Sequence, residues 1–250
     1  MRLLISVSNG EEAHAALAGG ADLIDAKDPL AGALGAVSIP VLQQIVSTID
    51  GARQVSAALG DAFDVNAIEH AARAYAATGV TFVKIGFGGI AESRSADLLA
   101  AAAVRGANAG GGGHCGVVVT AYADAPRVGS LAPSALVDVA ARTGAAGVLL
   151  DTADKNGPGL RELIAPGALA SWVAAAHEAG LLVALAGKLT AEDFAFVRDA
   201  GADVAGVRGA ACDRGRAGRI VAERVRLLRE VAGLKTRRFG AGPIRREARR

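Results

Sequence analysis

Lysine is used sparingly in this chain, at Lys27, Lys84, Lys155, Lys188 and Lys235, while the remaining cations are arginines. General surface charge is therefore not what these lysines supply. Lys27 and Lys84 fall in the apolar runs LIDAK and TFVKIGF, Lys188 follows LLVALAG, and Lys155 stands just past VLLDTAD. An amine drawn out of water loses the hydration that favours its charged form. Its pKa falls, and it becomes a nucleophile or a general base. Asp25 and Asp151 accompany these lysines in the same runs. The pattern points to amine chemistry tuned by carboxylates.

Something must position these groups, and the chain reads as short β-rich runs alternating with Ala-rich helical stretches. The expected strands are LLISV (3–7), DLIDAK (22–27), RQVSAAL (53–59), TFVKIGF (81–87), GVVVTAY (116–122), GVLLDTA (147–153), LLVALAG (181–187) and DVAGVRG (203–209). Between them apolar residues recur at i, i+3 and i+4, and several of these stretches close on glycine, which accepts a left-handed C-cap. AALAGGADLIDAK, AYAATGVTFVKIG, AARTGAAGVLLDT and VRDAGADVAGVRG repeat one junction of helix end, glycine, turn and strand. Eight such units over 250 residues predict a (β/α)8 barrel, the TIM-barrel fold. The alternative is an open doubly wound sheet, but no glycine fingerprint follows the first strand, where VSNGEEA stands. The Gly-rich run GANAGGGGH (106–114) reads as a flexible spacer away from the chemistry.

Strand side chains alternate, so parity sorts them. The apolar set must meet the helices. Asp25, Lys27, Lys84, Asp151 and Arg208 then point into the barrel near its C-terminal mouth, with Ser6, Ser8, Thr120 and Tyr122 of matching parity. Lys155 and Lys188 rise from the rim. Asp61, Asp124 and Arg127 follow strands three and five, either to contact substrate or to shape loops. A phosphate site is expected where strands seven and eight end, in AGK and GVRGAACDRGR. There Gly187, Gly206 and Gly209 allow close backbone approach, and Lys188 and Arg208 add charge.

A net charge of +2 gives no strong overall field. Cys115 and Cys212 have no framework or metal-ligand spacing, which suits a reduced, cytoplasmic compartment. No run is long enough for a membrane span. The stretch 235–250 reads as a basic, solvated tail beyond a single barrel of residues 1–234. It lacks interleaved aromatic platforms, so no nucleic acid is expected.

The motifs GGADLIDAKDPLAGALGA, VSAALGD, VKIGFGG, AYADAPRVGS, LLDTADKNG, ALAGKL and AGVRGAAC together resemble the (5-formylfuran-3-yl)methyl phosphate synthases. That family is also described as 4-(hydroxymethyl)-2-furancarboxaldehyde-phosphate synthase, of methanofuran-type cofactor biosynthesis. The resemblance runs from the first strand to about residue 230. It implies a metal-independent, Schiff-base-forming lyase that joins two glyceraldehyde 3-phosphate molecules into a furan phosphate, with dihydroxyacetone phosphate as a related substrate form. It further implies that Lys27 forms the imine beside Asp25, that Lys84 accepts a proton, and that Asp151 and Lys155 line the site. No metal or organic cofactor is implied, and association as a homo-oligomer is expected. Lys188 departs from the family pattern, in which a small polar residue is expected. Two alternatives use the same residues: a class I aldolase or sugar-phosphate isomerase, and a non-catalytic barrel that binds phosphometabolites or nucleic acid.

Overall fold

Eight parallel strands close on themselves in sequence order in a computed structural model that describes residues 1–233. The strands are β1 (Arg2–Val7), β2 (Leu23–Ala26), β3 (Gln54–Asp61), β4 (Phe82–Gly86), β5 (Gly116–Tyr122), β6 (Gly147–Asp151), β7 (Leu182–Leu185) and β8 (Val204–Val207). The ring is completed by pairing of β8 with β1, with Arg2 opposite Val204 and Ile5 opposite Val207. The predicted (β/α)8 barrel is what forms. The basic stretch 235–250 lies outside the described residues.

The outer ring consists of α1 (Gly10–Ala18), α2 (Ile39–Ile49), α3 (Val65–Ala76), α4 (Ser93–Gly111), α5 (Pro133–Thr143), α6 (Leu160–Leu163), α7 (Pro166–Glu178), α8 (Phe194–Asp199) and α9 (Ala222–Gly233). Local chemistry sets their ends. Asn9 and Asp64 accept the Glu12 and Ala67 amides as N-caps, and Gly144 takes the left-handed C-cap after α5. Under the helices lies a continuous apolar layer that includes Ile5, Ile24, Val83, Val119, Leu150 and Leu185, all fully buried. Truncating any one of the larger of these to alanine costs about 2–5 kcal/mol.

One expectation is corrected, and one helix was not foreseen. The Gly-rich run is not a flexible spacer, because α4 continues through Gly111. A Cβ at Gly106 or Gly110 would collide with the backbone carbonyl oxygen of Glu69 or Arg73 in α3. The glycines therefore let two helices touch backbone to backbone. The short helix α6 went unpredicted because four residues show no period; it is held by Leu160, which is buried and donates its N–H to the Gly187 carbonyl at 2.9 Å.

The barrel interior is divided by height. Its lower part is an apolar plug of Leu4, Leu23, Phe82, Val118, Leu149, Leu182, Ala184 and Val204. Polar side chains begin above this plug, so whatever chemistry occurs is confined to the C-terminal mouth.

Candidate active site

β1, β2 and β3 place Ser6, Asp25 and Ser56 side by side in register. Both hydroxyls therefore donate to one carboxylate: Ser6 Oγ to Asp25 Oδ2 at 2.9 Å and Ser56 Oγ to Asp25 Oδ1 at 2.7 Å. Lys84 Nζ, from β4, lies 2.6 Å from Asp25 Oδ1. Asp25 is thus fully buried yet fully satisfied, and it fixes the Lys84 amine. Ser56 was overlooked in the sequence because a lone serine in VSA carries no pattern; strand register alone reveals it.

Across the mouth, Asp151 Oδ1 accepts the Thr152 amide and Lys155 Nζ, each at 2.7 Å. Lys155 also donates to the Thr152 carbonyl at 2.5 Å. The loop that carries Lys155 is folded from below by buried Asp124, which accepts the Ala153 and Asp154 amides at 2.7 and 2.9 Å. Burial would raise the Asp151 pKa, but the Lys155 and Lys27 ammonium groups and the local hydrogen bonds hold it below the usual carboxylate value.

Lys27 stands between these two pairs and has no hydrogen-bond or ion-pair partner for its amine among the described residues. Only 6 % of its surface is exposed. Burial lowers its pKa most strongly. Asp151 opposes that shift, Lys84 adds to it, Asp25 opposes and Lys155 adds, leaving the amine at about 7. The two lysines and two carboxylates act in opposite directions, and desolvation is the largest single influence. An unpartnered, half-neutral amine facing a cavity is what nucleophilic attack on a carbonyl requires.

The cavity has a volume of about 380 Å³ and is lined by Asp25, Lys27, Lys84, Asp151, Lys155 and, on the β7–β8 side, by Gly187, Lys188, Gly206, Arg208, Gly209 and Arg216. The five candidate catalytic residues and the five candidate phosphate-site residues from the sequence therefore line one cavity, whereas Ser8, Asp61, Thr120, Tyr122, Asp124 and Arg127 do not. Not all of those that line it face it in the way expected. Arg208 commits every N–H to the protein. Its Nε donates to the Arg216 carbonyl at 2.8 Å, its Nη1 to the Ser6 carbonyl and Glu12 Oε2 at 3.0 and 2.8 Å, and its Nη2 to Glu12 Oε1 and the Gly218 carbonyl at 3.1 and 3.2 Å. A guanidinium has five donors, so none remains for a phosphate. The expectation that Arg208 grips phosphate directly is corrected: it braces the loop beyond β8. Glu12 is its counter-ion, and Ser8 donates to Glu12 rather than facing the cavity.

Just beyond β7, Gly187 has φ +106 and Lys188 φ +59. The first suits only glycine, and the second is uncommon for any other residue. Lys188 is exposed, with Nζ on the Gly157 carbonyl at 2.5 Å. The Gly187 and Lys188 amides have no acceptor among the described residues. Tyr122 is buried and donates to Asp61 Oδ1 at 2.7 Å, while Arg127 pairs with Asp154. Asp61, Tyr122, Asp124 and Arg127 thus shape the loops. Among the described residues, no three or more His, Cys, Asp or Glu side chains cluster as a metal site would require, and no helix is long and apolar enough to cross a membrane.

The family model described as 4-HFC-P synthase matches residues 3–229. The chain belongs to that family. A relative from Methanopyrus kandleri, named (5-formylfuran-3-yl)methyl phosphate synthase, is 42% identical over 218 residues, covering 86% of this chain and 90% of its own. One from Streptomyces griseus, named putative (5-formylfuran-3-yl)methyl phosphate synthase, is 39% identical, covering 97% and 99%. One from Methanocaldococcus jannaschii, with the same name as the first, is 37% identical, covering 92% and 99%. Among solved structures, a 3-hexulose-6-phosphate synthase superposes with a TM-score of 0.61 at 22% identity, covering 91% of this chain and 99% of that one. KGPDC from Streptococcus mutans gives 0.64 at 14%, covering 92% and 96%. These structural likenesses establish the barrel of this 4-HFC-P synthase family member and carry no chemistry.

Proposed function

We propose that the chain is a Schiff-base lyase that converts two glyceraldehyde 3-phosphate molecules into 4-(hydroxymethyl)-2-furancarboxaldehyde phosphate, releasing one phosphate and two waters, as a step of methanofuran-type cofactor biosynthesis. The observation that carries this reading is the Lys27 amine, buried, unpartnered and titrating at about 7 beside two Lys–Asp pairs.

The neutral Lys27 amine attacks the carbonyl of one triose phosphate, and the carbinolamine expels water to leave an iminium. The iminium acidifies the adjacent carbon. Lys84, held against Asp25 and made neutral by giving its proton to the hydroxide leaving the carbinolamine, takes the proton from that carbon and gives an enamine. The enamine carbon attacks the aldehyde of the second triose, forming the carbon–carbon bond. Hydrolysis of the iminium returns the neutral Lys27 amine and takes up the water lost in its formation; ring closure through a hydroxyl, loss of phosphate from one unit and loss of two waters complete the aromatic ring. The Asp151–Lys155 pair sits opposite Lys84, where an ammonium can protonate a departing oxygen and stabilise developing charge. Gly187, Lys188, Gly206 and Gly209 bound the end of the cavity suited to a phosphate.

Borohydride reduction with glyceraldehyde 3-phosphate tests the chemistry. A covalent adduct on Lys27 is expected, absent in Lys27→Ala; unmodified wild type would refute the imine. Ultraviolet absorbance of the product then separates a furan from the simple aldol adduct of an aldolase.

A further inference from the structure

Arg216 is half-buried, lines the cavity, and pairs with no carboxylate among the described residues. Arg208, by contrast, is neutralised by Glu12. On Arg216, Nη2 donates to the carbonyls of Pro29 and Gly32 at 3.1 and 2.7 Å, whereas Nε and Nη1 have no acceptor among the described residues. Pro29 and Gly32 belong to the loop that leaves β2 directly after Lys27. The backbone of Arg216 is in turn held by Arg208, which donates to its carbonyl at 2.8 Å. Across the cavity end lie Lys188, also without a carboxylate partner, and the free amides of Gly187 and Lys188. Burial pushes the guanidinium pKa down, as expected of a cation lacking a counter-ion.

We propose that Arg216 is a latch: its free Nε and Nη1 donors grip the phosphate monoester of a bound triose while Nη2 ties down the loop following Lys27. This rests on the reading that the substrate carries phosphate. A planar fork holds separated donors in fixed directions towards two sets of acceptors, whereas the donors of an ammonium radiate from a single atom and do not span both. Phosphate binding at the β7–β8 end is thereby coupled to order in the loop beside the reactive amine.

The test uses the full chain with inorganic phosphate as probe, reading affinity by calorimetry and amide exchange of residues 28–35 with and without phosphate. Wild type is expected to bind phosphate and to slow exchange in that loop. Arg216→Gln is expected to bind at least about tenfold more weakly, with no phosphate-dependent protection. Arg216→Lys is expected to keep part of the affinity and to lose the protection; it also carries the test if the glutamine variant does not fold. Wild-type affinity in Arg216→Gln, full restoration of both readouts by Arg216→Lys, or a wild-type loop indifferent to phosphate would each overturn the latch. Failure of the underlying functional reading shows separately, as absence of a borohydride-trapped adduct on wild-type Lys27.

Discussion

Near neutral pH the Lys27 amine is divided between its charged and neutral forms; burial sets that balance and the charged neighbours adjust it. Imine trapping should therefore rise with pH through about 7 and level off above it. Lys84→Met removes a cation that lowers this pKa and leaves Asp25 to favour the ammonium, so the rise should move to higher pH. Asp151→Asn removes a carboxylate that raises it, so the rise should move lower. Trapping rates measured from pH 5 to 9 distinguish the two, and shifts of the opposite sign would refute the electrostatic account. Lys27→Arg should trap no adduct, because a guanidinium keeps the charge and cannot form the imine. The same pKa bears on stability. The unfolded lysine titrates near 10.5 and the folded one at about 7, so between these values the unfolded state binds the extra proton. Stability should thus increase with pH across that window. Lys27→Met should abolish that slope and leave an inactive barrel about 1–4 kcal/mol more stable at pH 7, measured by urea unfolding.

At the scale of elements, the contact of α3 with α4 reverses an ordinary rule. Glycine to alanine inside a helix normally stabilises by up to about 1 kcal/mol. Gly167→Ala in α7, where a Cβ meets nothing within 4 Å, should follow that rule. Gly110→Ala, whose methyl would strike the Arg73 carbonyl, should instead destabilise by about 1–3 kcal/mol, with activity of the folded protein unchanged. Paired denaturation curves check both signs. The strands were legible because alternation and apolar content coincide in each, and parity correctly turned Asp25, Lys27, Lys84 and Asp151 inward. The glycine run was not legible, since composition alone cannot distinguish a loose spacer from a helix stripped of side chains to meet a neighbour. Ser56 and Arg216 were hidden for a related reason: their significance lies in register and loop contacts between segments far apart in sequence.

At the scale of the whole molecule, the barrel closes where β8 meets β1, and Glu12 with Arg208 forms a buried ion pair beside that seam. Glu12→Ala would leave the guanidinium without its counter-ion and should cost about 3–5 kcal/mol. Burial opposes ionisation of Glu12, but Arg208 and Ser8 hold its pKa below 4.5. Its contribution is therefore complete above that value and lost as pH falls through the folded pKa; Glu12→Gln should flatten this acid limb of the stability profile. Sequence parity correctly placed Arg208 at the mouth, yet its role depends on which acceptors the closed barrel brings within reach, and no local pattern encodes that. The depressed pKa of Lys27 has a practical corollary. The chain offers acylating reagents only five lysine side chains. Among them Lys27 combines a pKa of about 7 with an amine free of partners and open to a cavity, so a small acylating reagent at neutral pH should label it ahead of the other lysines. Mass spectrometry of briefly labelled protein would then count competent active sites, without substrate or turnover.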